Sequence, residues 1–128
     1  TQLAIHNEQS VREYLNNMQA LSWREKTSQG IHAMLVVGEP TLLQAAQMYN
    51  LSERSLSRYL HQEGTNFREL LQQKRQELAQ HYLQNTSISI IDIADKLGYS
   101  NPNNFTRVFR SWFGLSPTRY RSQSESRA

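Results

Sequence analysis

The sequence has no cysteine among its 128 residues. Disulfide staples, thiol catalysis and cysteine-ligated zinc are thereby excluded. Its four histidines, His6, His32, His61 and His81, show no metal-ligand spacing, so no metal and no other cofactor is expected. A G-x-S-x-G nucleophile elbow and a glycine-rich phosphate loop are both missing. Asp92 and Asp95, beside Lys96, fit a solvated helix face better than acid–base chemistry. An enzyme is not expected. The longest apolar run, Ala33 to Val37, has five residues, against the ~20 that a bilayer-spanning helix needs. No secretory signal is visible. A cytoplasmic protein without membrane partners is expected.

What is present is modest in bulk and uneven in charge. Leu, Ile, Val and Phe make up 29 residues, or 23% of the chain, just above the ~20% below which chains stay disordered. A folded domain with a thin core is expected. The net charge is only +3, yet residues 1–64 carry net −1 and residues 65–128 net +4. Between Asn101 and Arg121 there are four arginines and no acid. Of 14 basic residues 11 are arginine, the planar forked donor suited to phosphate and guanine edges. Taken alone, that skew is more commonly an arginine-rich solvated face.

Apolar residues recur at three-to-four spacing throughout, and long Val/Ile/Thr alternation is absent, so the chain reads as all-α. Val11, Tyr14, Leu15, Met18 and Leu21 form one stripe over residues 8–21. A helix from about Ser22 to Val37 follows, with Gly30 a poor helix former inside it, and stops at Gly38-Glu39-Pro40. Thr41 and Gln44 fit a capping box for a short helix ending near Asn50. Ser52 caps a helix to about Gln62, and Asn66 caps a long one to about Gln84. Ser89 opens a helix through Leu97, and Asn101-Pro102 opens another that ends at Gly114. A short helical turn from Ser116-Pro117 through Arg121 leaves 122–128 as a disordered tail.

Two stretches of this pattern are alike. Ala46 and Ala94, Leu51 and Tyr99, and Ser52 and Ser100 are each 48 apart. Leu56 and Phe105, Ser57 and Thr106, Arg58 and Arg107, and Leu60 and Phe109 are each 49 apart. Each copy is a short helix, a tight turn at Asn50 or Gly98, and a polar helix bearing an arginine, which is the helix-turn-helix plan. The second copy has one extra residue, near Pro102. The expected organisation is a linker or accessory helix (1–21), a first helix-turn-helix unit (22–64), a linker helix (65–85) and a second unit (86–121). A linker of 19 residues spans roughly 28 Å, close to the ~34 Å between successive major grooves on one face of B-DNA.

Within the second copy, Ser89-Ile90-Ile91-Asp92-Ile93-Ala94, Leu97-Gly98-Tyr99-Ser100, Phe105-Thr106-Arg107-Val108-Phe109-Arg110, Phe113-Gly114-Leu115-Ser116-Pro117 and Tyr120-Arg121 fall in order. This run closely resembles the C-terminal signature of the AraC/XylS family of bacterial transcription regulators. Leu51-Ser52-x-Arg54-Ser55-Leu56-x-Arg58-x-Leu60, then Glu63-Gly64 and Phe67, resembles the more variable half of that domain. The resemblance covers about Ser22 to Arg121. It implies sequence-specific binding of double-stranded promoter or operator DNA, with RNA polymerase as a further partner. It also implies an effector or dimerisation domain outside these residues. The chain starts at Thr rather than Met, and residues 1–21 are expected to end the linker from such a domain.

Base readout needs side chains on the outward face of a recognition helix, near its N-terminal half. With Leu56 and Leu60 inward, Arg54, Ser57, Arg58 and His61 face outward. With Phe105, Val108, Phe109 and Phe113 inward, Asn103, Asn104, Thr106, Arg107 and Arg110 are available. The resemblance implies base reading at Arg54, Ser57 and Arg58, and at Asn103, Asn104 and Arg107. Pro102 stands where the family often has a polar donor, which removes one contact. Phosphate contacts are expected at the helix N-termini marked by Thr41 and Ser89, and at Arg110. Arg119 and Arg121 fit either DNA or a local carbonyl or carboxylate, whereas Arg75 reads as structural. Trp112 and Tyr99 read as core rather than as stacking platforms. The competing reading is a helical protein-interaction module that docks a partner helix or a polymerase subunit without reading DNA.

Overall fold

Each of the seven described helices starts after a residue whose side chain takes up a free first-turn amide, the last of them after Ser116. The computed structural model describes residues 21–127, and among them the chain is all-α. Helix α1 (Trp23–Leu35) follows Ser22, whose hydroxyl accepts from the Glu25 amide at 3.1 Å. Helix α2 (Leu42–Met48) starts on the full capping box: Thr41 Oγ1 accepts from the Gln44 amide, and Gln44 Oε1 from the Thr41 amide. Ser52, Asn66 and Ser89 cap α3 (Glu53–Gln62), α4 (Phe67–Asn85) and α5 (Ile90–Lys96) in the same way. Asn101 caps α6 (Pro102–Phe113), with Pro102 in the first turn, where its missing N–H leaves nothing unsatisfied. Helix α7 is Pro117–Arg127.

The repeat reappears in the backbone. The Leu51 amide donates to the Ala46 carbonyl at 2.9 Å, and the Tyr99 amide to the Ala94 carbonyl at 3.0 Å. Ala46 and Ala94 are fully buried, so each lets the two helices of its unit approach closely. Asn50 takes the first turn at φ 55°, the left-handed region that asparagine tolerates. The extra residue of the second unit lies in its turn. Ser52 caps α3, but the cap of α6 is Asn101, and Ser100 lengthens the loop before it.

Apolar residues gather into two cores. The first contains Ile31, Met34, Leu35, Ala45, Ala46, Leu56, Leu60 and Leu70. Trp23 seals it, stacked on Tyr59 at 5.0 Å and edge-on to Tyr49 at 5.8 Å. The second contains Ala79, Leu83, Ile93, Ala94, Leu97, Phe105 and Phe109. Phe109 is its hub, with Phe113 at 4.8 Å and Tyr120 at 5.4 Å. Helix α4 has 19 residues, about 28 Å of rise, and supplies Leu70 to the first core and Ala79 and Leu83 to the second.

Three details differ from the sequence reading or sharpen it. The expected disordered tail from Ser122 is instead helix as far as Arg127. No glycine or proline follows Pro117 to stop it, and the first turn is anchored. The Tyr120 hydroxyl accepts from Gln84 at 2.7 Å and Gln80 at 3.2 Å, and Ser124 Oγ donates back to the Tyr120 carbonyl. Gly30 does not interrupt α1. A Cβ there would lie 3.2 Å from Met48 Sδ, so its absence lets α2 pack against α1. Val108, expected in the core, is only half-buried and lines an open groove with Arg75, Tyr99 and Trp112. The apolar stripe on residues 8–21 lies, Leu21 aside, outside the described residues.

Candidate nucleic-acid interface

The two polar helices α3 and α6 each bury one stripe and expose the opposite one. Leu56 and Leu60 are fully buried in α3, and Arg54, Ser57, Arg58 and His61 are exposed. Phe105 and Phe109 are fully buried in α6, with Asn103, Asn104, Arg107 and Arg110 exposed and Thr106 half-buried. The fold therefore brings four of the outward candidates together on α3 and five on α6. His61 differs from the others by lying in the last turn of α3, about 10 Å along the axis from Arg54.

These side chains are held lightly. Arg107 Nη2 donates to Asn104 Oδ1 at 3.4 Å, and the Arg58 guanidinium lies 5.5 Å from the Tyr59 ring. Among the described residues the ion pairs are Lys74–Glu77 and Arg75–Glu39, neither of which uses an arginine of α3 or α6. The cationic groups of both helices thus keep their forked donors for an outside acceptor.

Thr41 and Ser89 are exposed at the starts of α2 and α5, but their hydroxyls already serve as caps. What these helix ends offer an anion is the remaining first-turn amides. At Ser89 the acid Asp92 shares the first turn, which weakens the pull on a phosphate.

Arg121 and Arg75 are engaged internally. Arg121 donates from Nη2 to the Tyr82 and Thr86 carbonyls and from Nε to the Leu83 carbonyl. It closes the C-terminus of α4, which resolves its two readings in favour of a local partner. Arg75 binds the Leu97 carbonyl and Glu39, as its structural reading expects. Tyr99 and Trp112 pack against the second core.

Sequence reasoning missed Glu63. Its carboxylate accepts from the Trp23 amide at 2.9 Å and the Arg24 amide at 3.0 Å, and Arg24 Nη2 donates back to the Glu63 carbonyl. The end of α3 is thereby tied to the start of α1. No local signal marks a cap supplied from 40 residues away.

Residues 45–123, more than half of the chain, match the model of a family described as a helix-turn-helix domain. A solved structure described as a transcriptional regulator with an AraC-type DNA-binding domain, from Chromobacterium violaceum, is 25% identical. It matches with a TM-score of 0.69 over 80% of this chain and 91% of that one. The chain belongs to the AraC-type helix-turn-helix family. Among AraC-type relatives, the ornithine utilization regulator of Pseudomonas aeruginosa is 42% identical over 82 residues, covering 64% of this chain and 24% of that protein. A DNA-binding transcriptional dual regulator from Escherichia coli K-12 is 27% identical. Its TM-score is 0.76, over 83% of this chain and 95% of that one. The chain spans about a quarter of the length of the curated AraC-type relatives it matches. The matched relatives are named as transcription regulators. No helix among the described residues is long and apolar enough to cross a membrane.

Proposed function

We propose that this chain is the DNA-reading domain of a transcription regulator, binding double-stranded DNA with α3 and α6 in successive major grooves. One observation carries the reading: the two helix-turn-helix units expose Arg54, Ser57 and Arg58, and Asn103, Asn104 and Arg107, with neither set of arginines in an ion pair among the described residues. Arginine suits guanine O6 and N7, and asparagine suits adenine N6 and N7, so the operator is of mixed sequence. Thr106 and His61 border these faces and contribute contacts at their margins. Arg110 and the first-turn amides at Thr41 and Ser89 hold phosphates, Ser89 the weaker because of Asp92. Contact with RNA polymerase and control by an effector domain outside these residues belong to the same proposal, on family grounds.

The test is the salt dependence of binding to duplex DNA. Counterion release predicts that log K falls linearly and steeply with log salt concentration, at about −0.9 per phosphate neutralised. No measurable binding to duplex DNA at low salt would refute the reading.

A further inference from the structure

The strong helix–helix contacts all run within a unit or through α4. The two cores are separate, and Leu78 is the residue packed against both. Core packing alone therefore leaves the angle between the units dependent on one exposed-sided helix. A polar bridge spans the gap. From the middle of α4, Arg75 Nη2 donates to Glu39 Oε2 at 2.6 Å, in the loop between α1 and α2 of the first unit. Its Nε donates to the Leu97 carbonyl at 2.8 Å, at the turn of the second unit. Its guanidinium carbon lies 4.8 Å from the centre of the Tyr99 ring. The Arg75 side chain is only 13% exposed.

The turn is shaped to admit this bridge. Gly98 sits at φ +87°, and a Cβ on it would lie 3.1 Å from both Arg75 Nη2 and Glu39 Oε2, and 3.5 Å from Leu35 Cδ2. Leu35 and Glu39 belong to the first unit and Gly98 to the second, so the units meet at this point. Burial raises the Tyr99 hydroxyl's pKa above its ordinary value, with Arg75 lowering it and Glu39 raising it.

We infer that Arg75 is a positioning residue that sets the distance and angle between the two recognition helices, and so the spacing of half-sites the protein accepts. The inference rests on the DNA-reading function proposed above. A guanidinium reaches both units because Nε and Nη2 are two separate donor nitrogens held in one rigid plane, whereas an ammonium has a single nitrogen for both acceptors. When two linked sites bind one duplex, their fixed geometry sets the effective concentration for the second contact. A loosened bridge lowers affinity at the correct spacing and lessens the penalty at wrong ones, while leaving each half-site contact intact.

The test uses the 128-residue chain and duplexes it selects from a random library. Each selected duplex is compared with its isolated halves and with a version carrying two extra central base pairs, which turn the second half by about 70°. For Arg75→Ala the expected result is about a five- to tenfold loss on the intact duplex, unchanged affinity for isolated halves, and a penalty for the insertion reduced several-fold. Arg75→Lys is expected to behave like Arg75→Ala, and its full rescue would overturn the need for two separate donor nitrogens. An insertion penalty equal to that of the wild type would overturn the inference. If Arg75→Ala fails to bind even isolated halves, Glu39→Gln, on an exposed loop residue, decides the same comparison.

Should the chain select no duplex at all, the proposed function falls and a DNA-free measurement still judges the bridge. Spin labels at Gln62→Cys and Thr118→Cys, both exposed, report the distance between the units in a chain with no other cysteine. A broader distance distribution in Arg75→Ala and Glu39→Gln supports the inference. An unchanged one overturns it.

Discussion

Replacing Glu63 with alanine is expected to destabilise the protein by about 2 kcal/mol, although its carboxylate bonds no candidate DNA contact. Its carboxylate accepts from two free amides at the start of α1, at 2.9 and 3.0 Å. Hydrogen bonds to charged groups contribute about 1.5–3 kcal/mol each, so two bonds set an upper bound of about 6. Two features lower it. The Arg24 amide is exposed, so water replaces that partner, and Ser22 still caps the Glu25 amide. The remaining cost comes from the half-buried Trp23 amide and from removing an anion at a helix N-terminus, the latter about 0.3–1 kcal/mol. Glu63→Gln keeps an acceptor but not the charge, and is expected to lose about half as much. Urea unfolding followed by circular dichroism measures both variants, with a lower midpoint and an unchanged slope. A Glu63→Ala variant within about 0.5 kcal/mol of wild type, the range of ordinary surface substitutions, would show that the tie between α3 and α1 contributes little.

Three further outcomes are expected. Thr27 is fully buried in α1, and its hydroxyl has no hydrogen-bond partner among the described residues. Thr27→Val therefore raises stability by about 1 kcal/mol, and a lower urea midpoint would contradict the assignment. Arg121→Ala takes the guanidinium from three carbonyls at the end of α4, of which that of Tyr82 keeps the Thr86 hydroxyl, and costs about 1–2 kcal/mol. Arg121→Lys recovers little of it, because one ammonium cannot serve all three; full recovery in thermal unfolding would argue against the capping role. Arg107→Ala costs about 1–3 kcal/mol of discrimination at one or two base positions, measured by competition among single-substituted duplexes. Equal loss on every sequence would make Arg107 a phosphate contact.

Local chemistry was the legible part of this fold. Thr41 with Gln44, and Ser52, Asn66, Ser89 and Asn101, each announce a helix start within three residues of the bond they make. The repeat was readable because Ala46 and Ala94 answer the same packing need in both units. The exposed faces of α3 and α6 followed from 3.6-residue periodicity. Tertiary partners were not legible. Glu63 meets Trp23, and Arg75 meets Glu39 and Leu97, across separations of 22 to 40 residues that no periodicity encodes. The length of α7 was missed for a different reason. Its Ser-Gln-Ser-Glu-Ser composition reads as tail, yet docking of Tyr120 on Gln80 and Gln84 anchors its first turns. The Val108 misplacement marks the limit of periodicity, which finds a buried stripe but not where its edge meets a groove.

Two recognition helices on one rigid linker are proposed to read two successive major grooves. Hydroxyl-radical footprinting of the chain on a duplex selected from a random library tests that proposal most directly. Two protected segments are expected on one face of the duplex, centred about 10–10.5 base pairs apart. Arg58→Ala is expected to weaken one segment and Arg107→Ala the other. A single protected segment, or both variants weakening the same one, would contradict it.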